Sequence, residues 1–252
     1  MTTELPAPLR EAVDRIDEAP APLAGDPAAG ALGRLDAWWE TVSGRDARPV
    51  PHEVSPSSSV ADPTEPGDRR IEARLLAGLS AADRAVDSGA TVIVTAAPGD
   101  DVPARAVIAL LAWREASTLL PQPPGTSDAE WMRRCARVRD VAAAARSVRA
   151  DTVALLSVTQ ADDVAFAAGV LLGAAARRTP CLVDGTTALS GAVVADRISY
   201  RARGWWLAAS DSPDPGRSAA IDRVDLAVAL PLQTADDSGL AARALLALLA
   251  LP

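Results

Sequence analysis

Apolar positions along this chain alternate between two spacings. One is helical, near 3.6 residues; the other consists of short β-branched or aromatic runs that read as buried strands. Residues 163–187 show both. Val164 to Arg178 is an apolar, small-residue helix that stops ahead of Pro180, because the residue before a proline is pushed out of the α region. Pro180 to Val183 follow as a buried strand, which ends at Asp184-Gly185. Helix, breaker, strand and acid–glycine turn form one unit of an open α/β sheet, and ligands in such sheets sit beyond the carboxyl ends of the strands. Asp184, Gly185, Thr186 and Thr187 are therefore the first candidate ligand-binding residues. Gly169 and Gly173, four apart, are read as letting the helix lie close to the sheet.

Pro8 to Glu18 is a short amphipathic helix, and Leu32, Leu35, Trp38, Trp39 and Val42 form an apolar stripe on a second one over 30–42. The tryptophan pair is read as docking on the body or on a partner chain. Ser43 to Asp68 is rich in Pro, Ser, Asp and Gly with almost nothing apolar in phase, which predicts a mobile linker. Helix 69–88 ends at Gly89, and Thr91 to Thr95 is a buried strand. Helix 103–117 follows, then an arginine-rich helix from Asp128 to Ser147 capped by Ser127 or Asp128, then a short strand over Thr152 to Val158. A small-residue helix over 188–196, strands over 204–208 and 224–232, and an Ala/Leu helix to Leu251 complete the pattern. Alternating strands and helices predict an α/β fold: an open parallel sheet with helices on both faces, a Rossmann-like three-layer arrangement. The expected organisation is an N-terminal helical arm over 1–42, a linker over 43–68 and the α/β domain over 69–252.

Composition narrows the function. The net charge of −8 argues against a nucleic-acid binder, which needs a basic field. All 25 basic residues are arginine, which excludes Schiff-base lysine chemistry and the Walker A lysine. Two distant cysteines, Cys135 and Cys181, suggest neither a disulfide framework nor a zinc site. The lone His52 sits in the Pro/Ser-rich stretch without a second ligand nearby, so no metal and no cofactor are implied. No apolar run is long enough to span a bilayer and no signal segment is visible, which predicts a cytoplasmic protein that binds no membrane.

Three loops at strand ends are expected to converge: 184–187, 209–216 with Ser210 and Asp211, and 233–239 with Asp236, Asp237, Ser238 and Gly239. A fourth, Ala96 to Asp101, has the shape of a phosphate loop at a strand–helix junction. It offers a phosphate one glycine and two carboxylates. Arg133, Arg134, Arg137 and Arg139 would bind phosphate if they faced a cleft; a solvated face is the alternative.

The later half resembles the nicotinate-nucleotide–dimethylbenzimidazole phosphoribosyltransferases, which make the lower-ligand nucleotide of cobalamin. Leu171-Leu172-Gly173-Ala174-Ala175-Ala176-Arg177-Arg178-Thr179-Pro180-Cys181-Leu182-Val183-Asp184-Gly185 is similar to the family's helix and following strand. Ser210 to Gly216 looks like its Ser-x-Glu-Pro-Gly loop; Gly78–Val94 and Gly30–Val42 match more weakly. The chain departs from the pattern at three places. It lacks the family's Gly-Asp-His-Gly stretch. Thr95–Pro103 replaces the glycines and threonines of the phosphate loop with Pro98, Asp100, Val102 and Pro103, and its glutamate with alanine. Ala235-Asp236-Asp237-Ser238-Gly239 stands for the family's Gly-Glu-Gly-Ser-Gly.

The resemblance thus makes Asp236 the candidate catalytic base, shorter than glutamate by a methylene. That moves the carboxylate by roughly 1.5 Å, and a misplacement of about 1 Å can cost on the order of a hundredfold in rate. The expectation that follows is a divergent family member with a degenerate nucleotide site and a binding or regulatory role. The alternative is an active phosphoribosyltransferase acting on nicotinate mononucleotide and a benzimidazole-type base. Expected partners are a small aromatic base or nucleotide, and a second copy or a family homologue as a homodimer or heterodimer.

Overall fold

The computed structural model describes residues 4–17, 30–43, 49–56, 66–97, 100–234 and 238–250. In chain order these form α1 (Ala7–Asp14), α2 (Gly30–Ser43), β1 (Pro51–Val54), α3 (Gly67–Asp87), β2 (Val92–Ala96), α4 (Val102–Leu111), α5 (Asp128–Ala145), α6 (Thr152–Thr159) and α7 (Asp162–Ala176). Then come β3 (Cys181–Asp184), α8 (Thr186–Ile198), β4 (Trp206–Ser210), α9 (Pro215–Val224), β5 (Val228–Leu230) and α10 (Leu240–Leu249). The five strands are all parallel and lie in sequential order, β1 to β5.

That order explains the layers. Parallel crossovers are right-handed, so an unreversed strand order sends every connecting helix to one face. Ile93, Cys181, Val183, Trp206 and Ala208 point to that face and pack into one core with α3, α7 and α8. The alternate residues Val92, Val94, Leu182, Leu207 and Ala209 point the other way. Only the helices that lead into and out of the sheet remain to cover them. Leu35, Trp38 and Trp39 of α2 and Leu245 of α10 do so. The tryptophans are 2% and 4% exposed, so they dock on the body of the chain. Helices on both faces of a parallel sheet make the expected three-layer α/β fold. No helix among the described residues is long and apolar enough to cross a membrane.

Small residues set the spacing of the thick layer. A Cβ on Gly169 would lie 2.1 Å from the Leu75 carbonyl oxygen, and one on Gly78 would lie 2.1 Å from that of Phe166. The backbones of α3 and α7 therefore touch. The glycines of α7 serve contact with α3, and not with the sheet as the sequence suggested.

Four local expectations are corrected. The stretch 43–68 is not a linker throughout, since Pro51–Val54 forms the edge strand β1, paired in register with Val92–Thr95. Only Val54 of that strand is buried, so backbone pairing places it and no apolar pattern announces it. Thr152 to Val158 is helical; the Asp151 carboxylate accepts the Ala154 N–H at 3.1 Å and caps α6. The helix expected over 103–117 ends at Leu111. The strand expected over 224–232 shrinks to 228–230 because α9 runs through Val224.

Candidate functional site

The carboxyl ends of β2, β3 and β4 bring most of the candidate residues together. Asp184 is the last residue of β3, level with Ala96 of β2, and is fully buried. One of its oxygens accepts from Arg217 Nη2 at 2.8 Å, and the other accepts the Ala242 N–H at 3.1 Å. Arg217 is 1% exposed. The carboxylate therefore neutralises a buried cation and also caps α10, where the N-terminal dipole favours negative charge. Burial pushes the Asp184 carboxyl up, while the Ala242 N–H and Arg217 pull it back.

Gly185 has φ +90 and ψ 158, a conformation that costs any side chain. It turns the chain so that Thr186 and Thr187 open α8 directly. They were expected in a loop and instead are buried in its first turn. Thr187 lines a cavity of about 60 Å³ with Asp100, Pro103, Gln160, Asp162 and Asp163. Those last two carboxylates are held by Arg70 and Arg74, each at 2.6 Å.

The next two loops are laced to each other. Ser210 Oγ donates to the Asp211 carbonyl at 2.8 Å and lies 3.0 Å from Thr234 Oγ1. Ser212 Oγ and Arg217 Nη1 donate to the Thr234 carbonyl at 2.7 and 3.2 Å. Asp211 accepts the Gln233 N–H at 2.8 Å. Gly239, at φ +79, would place a Cβ 3.1 Å from that of Ala96, and the carbonyl of Ser238 accepts from Arg243 at 2.8 Å. Asp184, Ser210, Asp211, Ser238 and Gly239 thus lie in one neighbourhood. Asp236 and Asp237 lie outside the described residues.

The acidic turn before α4 is not an uncompensated negative patch, as its sequence implied. Asp101 accepts from Arg105 Nε at 2.6 Å and from Arg134 at 2.8 Å on both oxygens. Arg105, 2% exposed, then forks onto Asp214 at 2.8 and 2.5 Å. Asp214 also caps α9 by accepting from Gly216 and Arg217 N–H. Partial burial alone would raise the Asp101 carboxyl; Arg105 and Arg134 together outweigh it and hold it below the ordinary 3.8. Asp100 caps Val102 N–H at 3.1 Å and meets the exposed Arg137 at 3.1 Å. Among the described residues Arg139 pairs only with its neighbour Asp140, and Arg133 is exposed.

Sequence reading missed Arg105, Asp214 and Arg217, the residues that carry most of this network. Asp101 and Arg105 stand four apart on a helix start, which was a legible ion-pair spacing. The long-range partners left no comparable signal. Cys181 carries no chemistry here, because complete burial pushes its thiol well up. His52 is exposed on the edge strand.

Residues 67–251 match the family model described as phosphoribosyltransferase. Over 158 residues the chain is 37% identical to the nicotinate-nucleotide–dimethylbenzimidazole phosphoribosyltransferase of Streptomyces avermitilis, covering 62% of this chain and 42% of that protein. The chain belongs to this phosphoribosyltransferase family.

The protein of the same description from Mycobacterium avium is 37% identical over 164 residues, 64% of this chain and 47% of that one. The chain thus spans less than half the length of these curated relatives. Among solved structures, CobT from Thermus thermophilus superposes with a TM-score of 0.68 at 18% identity, over 97% of this chain and 93% of that one. That likeness concerns the fold. Asp184, Arg217, Asp214, Arg105 and Asp101 all lie within the matched span, residues 67–251.

Proposed function

We propose that this family member acts in cobamide lower-ligand metabolism as a binding or regulatory protein, with a degenerate nucleotide site that does not transfer phosphoribose. The observation that carries the reading is the state of the arginines at the α4 N-terminus. Arg105 is engaged by Asp101 and Asp214, and Arg134 by both oxygens of Asp101. A phosphate arriving there has to displace a carboxylate of the chain itself. Two like charges at ion-pair distance cost several kcal/mol at about 4 Å and an effective dielectric near 20. Asp184 is likewise committed to Arg217 and to the start of α10. The occupant we assign, from the description its relatives carry, is a small aromatic base of the benzimidazole class. A second copy, or a homologue of the same family, is the protein partner.

The test is incubation with nicotinate mononucleotide and dimethylbenzimidazole, with free nicotinate as readout. The expected result is no nicotinate, alongside a rise in Tm with the base and none with the nucleotide. Sustained release of nicotinate overturns the reading.

One observation favours the alternative of an active transferase. Arg137 is 62% exposed and, among the described residues, meets only the carboxylate of Asp100, at 3.1 Å, so it can turn toward a phosphate. In that reading Asp236 or Asp237 takes the azole proton as the ring nitrogen attacks the anomeric carbon of nicotinate mononucleotide, and the glycosidic bond to nicotinate breaks to release it. Arg137→Ala would then raise the KM for nicotinate mononucleotide and leave kcat nearly unchanged.

A further inference from the structure

At the far end of α4 from the acidic turn, the charge pattern is reversed. A groove of about 480 Å³ opens between the C-terminal half of α4, the segment 113–116 and α5. Four arginines line it, Arg114, Arg139, Arg146 and Arg149, against one acid, Glu115. In a chain of net charge −8 this is a local excess of positive charge. Arg114 and Arg146 have no carboxylate partner among the described residues.

Trp113 stands in the same groove and is 71% exposed. It occupies the residue after the α4 C-cap at φ +55, where the Arg114 N–H closes onto the Ala109 carbonyl at 3.0 Å. That position ordinarily takes glycine, and a bulky aromatic there is strained. The guanidinium of Arg149 lies 3.6 Å from the centre of the indole ring, which fixes the ring and leaves the rest of its surface to solvent.

We infer that this groove binds a nucleoside phosphate. Two unpartnered guanidiniums, with a third on the ring, suit an anion of more than one charge. An exposed, oriented indole suits a planar base, which stacks on it regardless of sequence. The volume falls in the range of small-molecule sites and holds one nucleotide rather than a strand. The inference does not rest on the strand-end reading, since no residue of the groove belongs to the network around Asp184 and Asp101.

The experiment is titration calorimetry of the full chain with ADP, adenosine and inorganic phosphate. The inference predicts saturable ADP binding, with adenosine and phosphate each at least about tenfold weaker, because each keeps one half of the recognition. Trp113→Gly and Arg146→Ala should each weaken ADP by about tenfold or more, the size expected for a lost stacking or charged contact. Trp113→Gly relieves the left-handed backbone, so its Tm should equal or exceed that of the native chain, which separates lost binding from lost folding. Arg134→Ala, at the strand-end network, should leave ADP binding unchanged. No ADP binding at millimolar concentration, unaltered affinity in Trp113→Gly, or loss of affinity only in Arg134→Ala overturns the inference.

Discussion

Asp184 and Asp101 are both carboxylates at the carboxyl ends of neighbouring strands, and both are held by arginine, yet their environments have opposite consequences. Asp184 is fully enclosed with Arg217, so the cost of stripping water from the charge dominates and its carboxyl is pushed up. Asp101 keeps a 14% exposed side chain and two arginines, so the pairing dominates and its carboxyl is pulled down. One arginine–carboxylate motif therefore yields two signs, and burial decides between them. The Asp184 pair fixes where β3, α9 and α10 meet, whereas the Asp101 cluster neutralises a turn that would otherwise repel anions.

The contrast is broken most sharply at Arg217. Arg217→Met leaves the Asp184 carboxylate buried without its cation, and breaking such a pair costs about 3–5 kcal/mol. Urea denaturation should show that loss, and the double variant with Asp184→Asn should recover most of it. A loss below about 1 kcal/mol in the single variant would mean that water reaches the pair, in conflict with its burial.

Arg105→Met is expected to cost less, about 2–3 kcal/mol. Asp101 then keeps Arg134, and Asp214 keeps the N–H groups of Gly216 and Arg217. Its additional consequence is functional. With Arg105 removed, the turn at 100–101 gains net negative charge, so nicotinate mononucleotide should still give no rise in Tm. If the variant instead gains a Tm rise with the nucleotide, the self-neutralised view of this site fails.

How far these two sites were legible in the sequence follows from the range of the forces involved. Asp184 was legible because it ends a buried strand after a proline break, which is local information. Its partner Arg217 lies 33 residues further on, and nothing local marks an arginine in α9 for burial beside β3. The acid pair Asp100-Asp101 was visible, but its meaning was inverted, because Arg134 sits on a separate helix. Element types failed where local signals were ambiguous. Thr152–Val158 reads equally as strand or buried helix until Asp151 is recognised as a cap. β1 is placed by hydrogen bonds to β2 and needs only one buried side chain. The α7–β3 unit and the layers around it were legible because α7 is buried nearly all round and β3 entirely, which leaves a dense apolar signal.

The smallest expected effect tests the sign of the contrast most directly. Arg134 is 35% exposed, so Arg134→Ala should cost no more than about 1 kcal/mol near neutral pH. The pH dependence carries the information. Because the folded Asp101 carboxyl lies below its ordinary 3.8, its pairing stabilises the fold fully above that value, and the stabilisation is lost as pH falls through the lowered folded value. Arg134→Ala moves the folded value back toward the ordinary one. The stability gap between the native chain and the variant should therefore be constant from neutrality down to about pH 5 and close below about pH 4. Asp184→Asn should act in the opposite direction. A carboxyl raised by burial makes the native fold lose stability as pH rises from 3.8 toward its folded value, and removing the charge flattens that loss. If both variants change the acid limb in the same direction, burial does not separate the two carboxylates, and the contrast between the two sites falls.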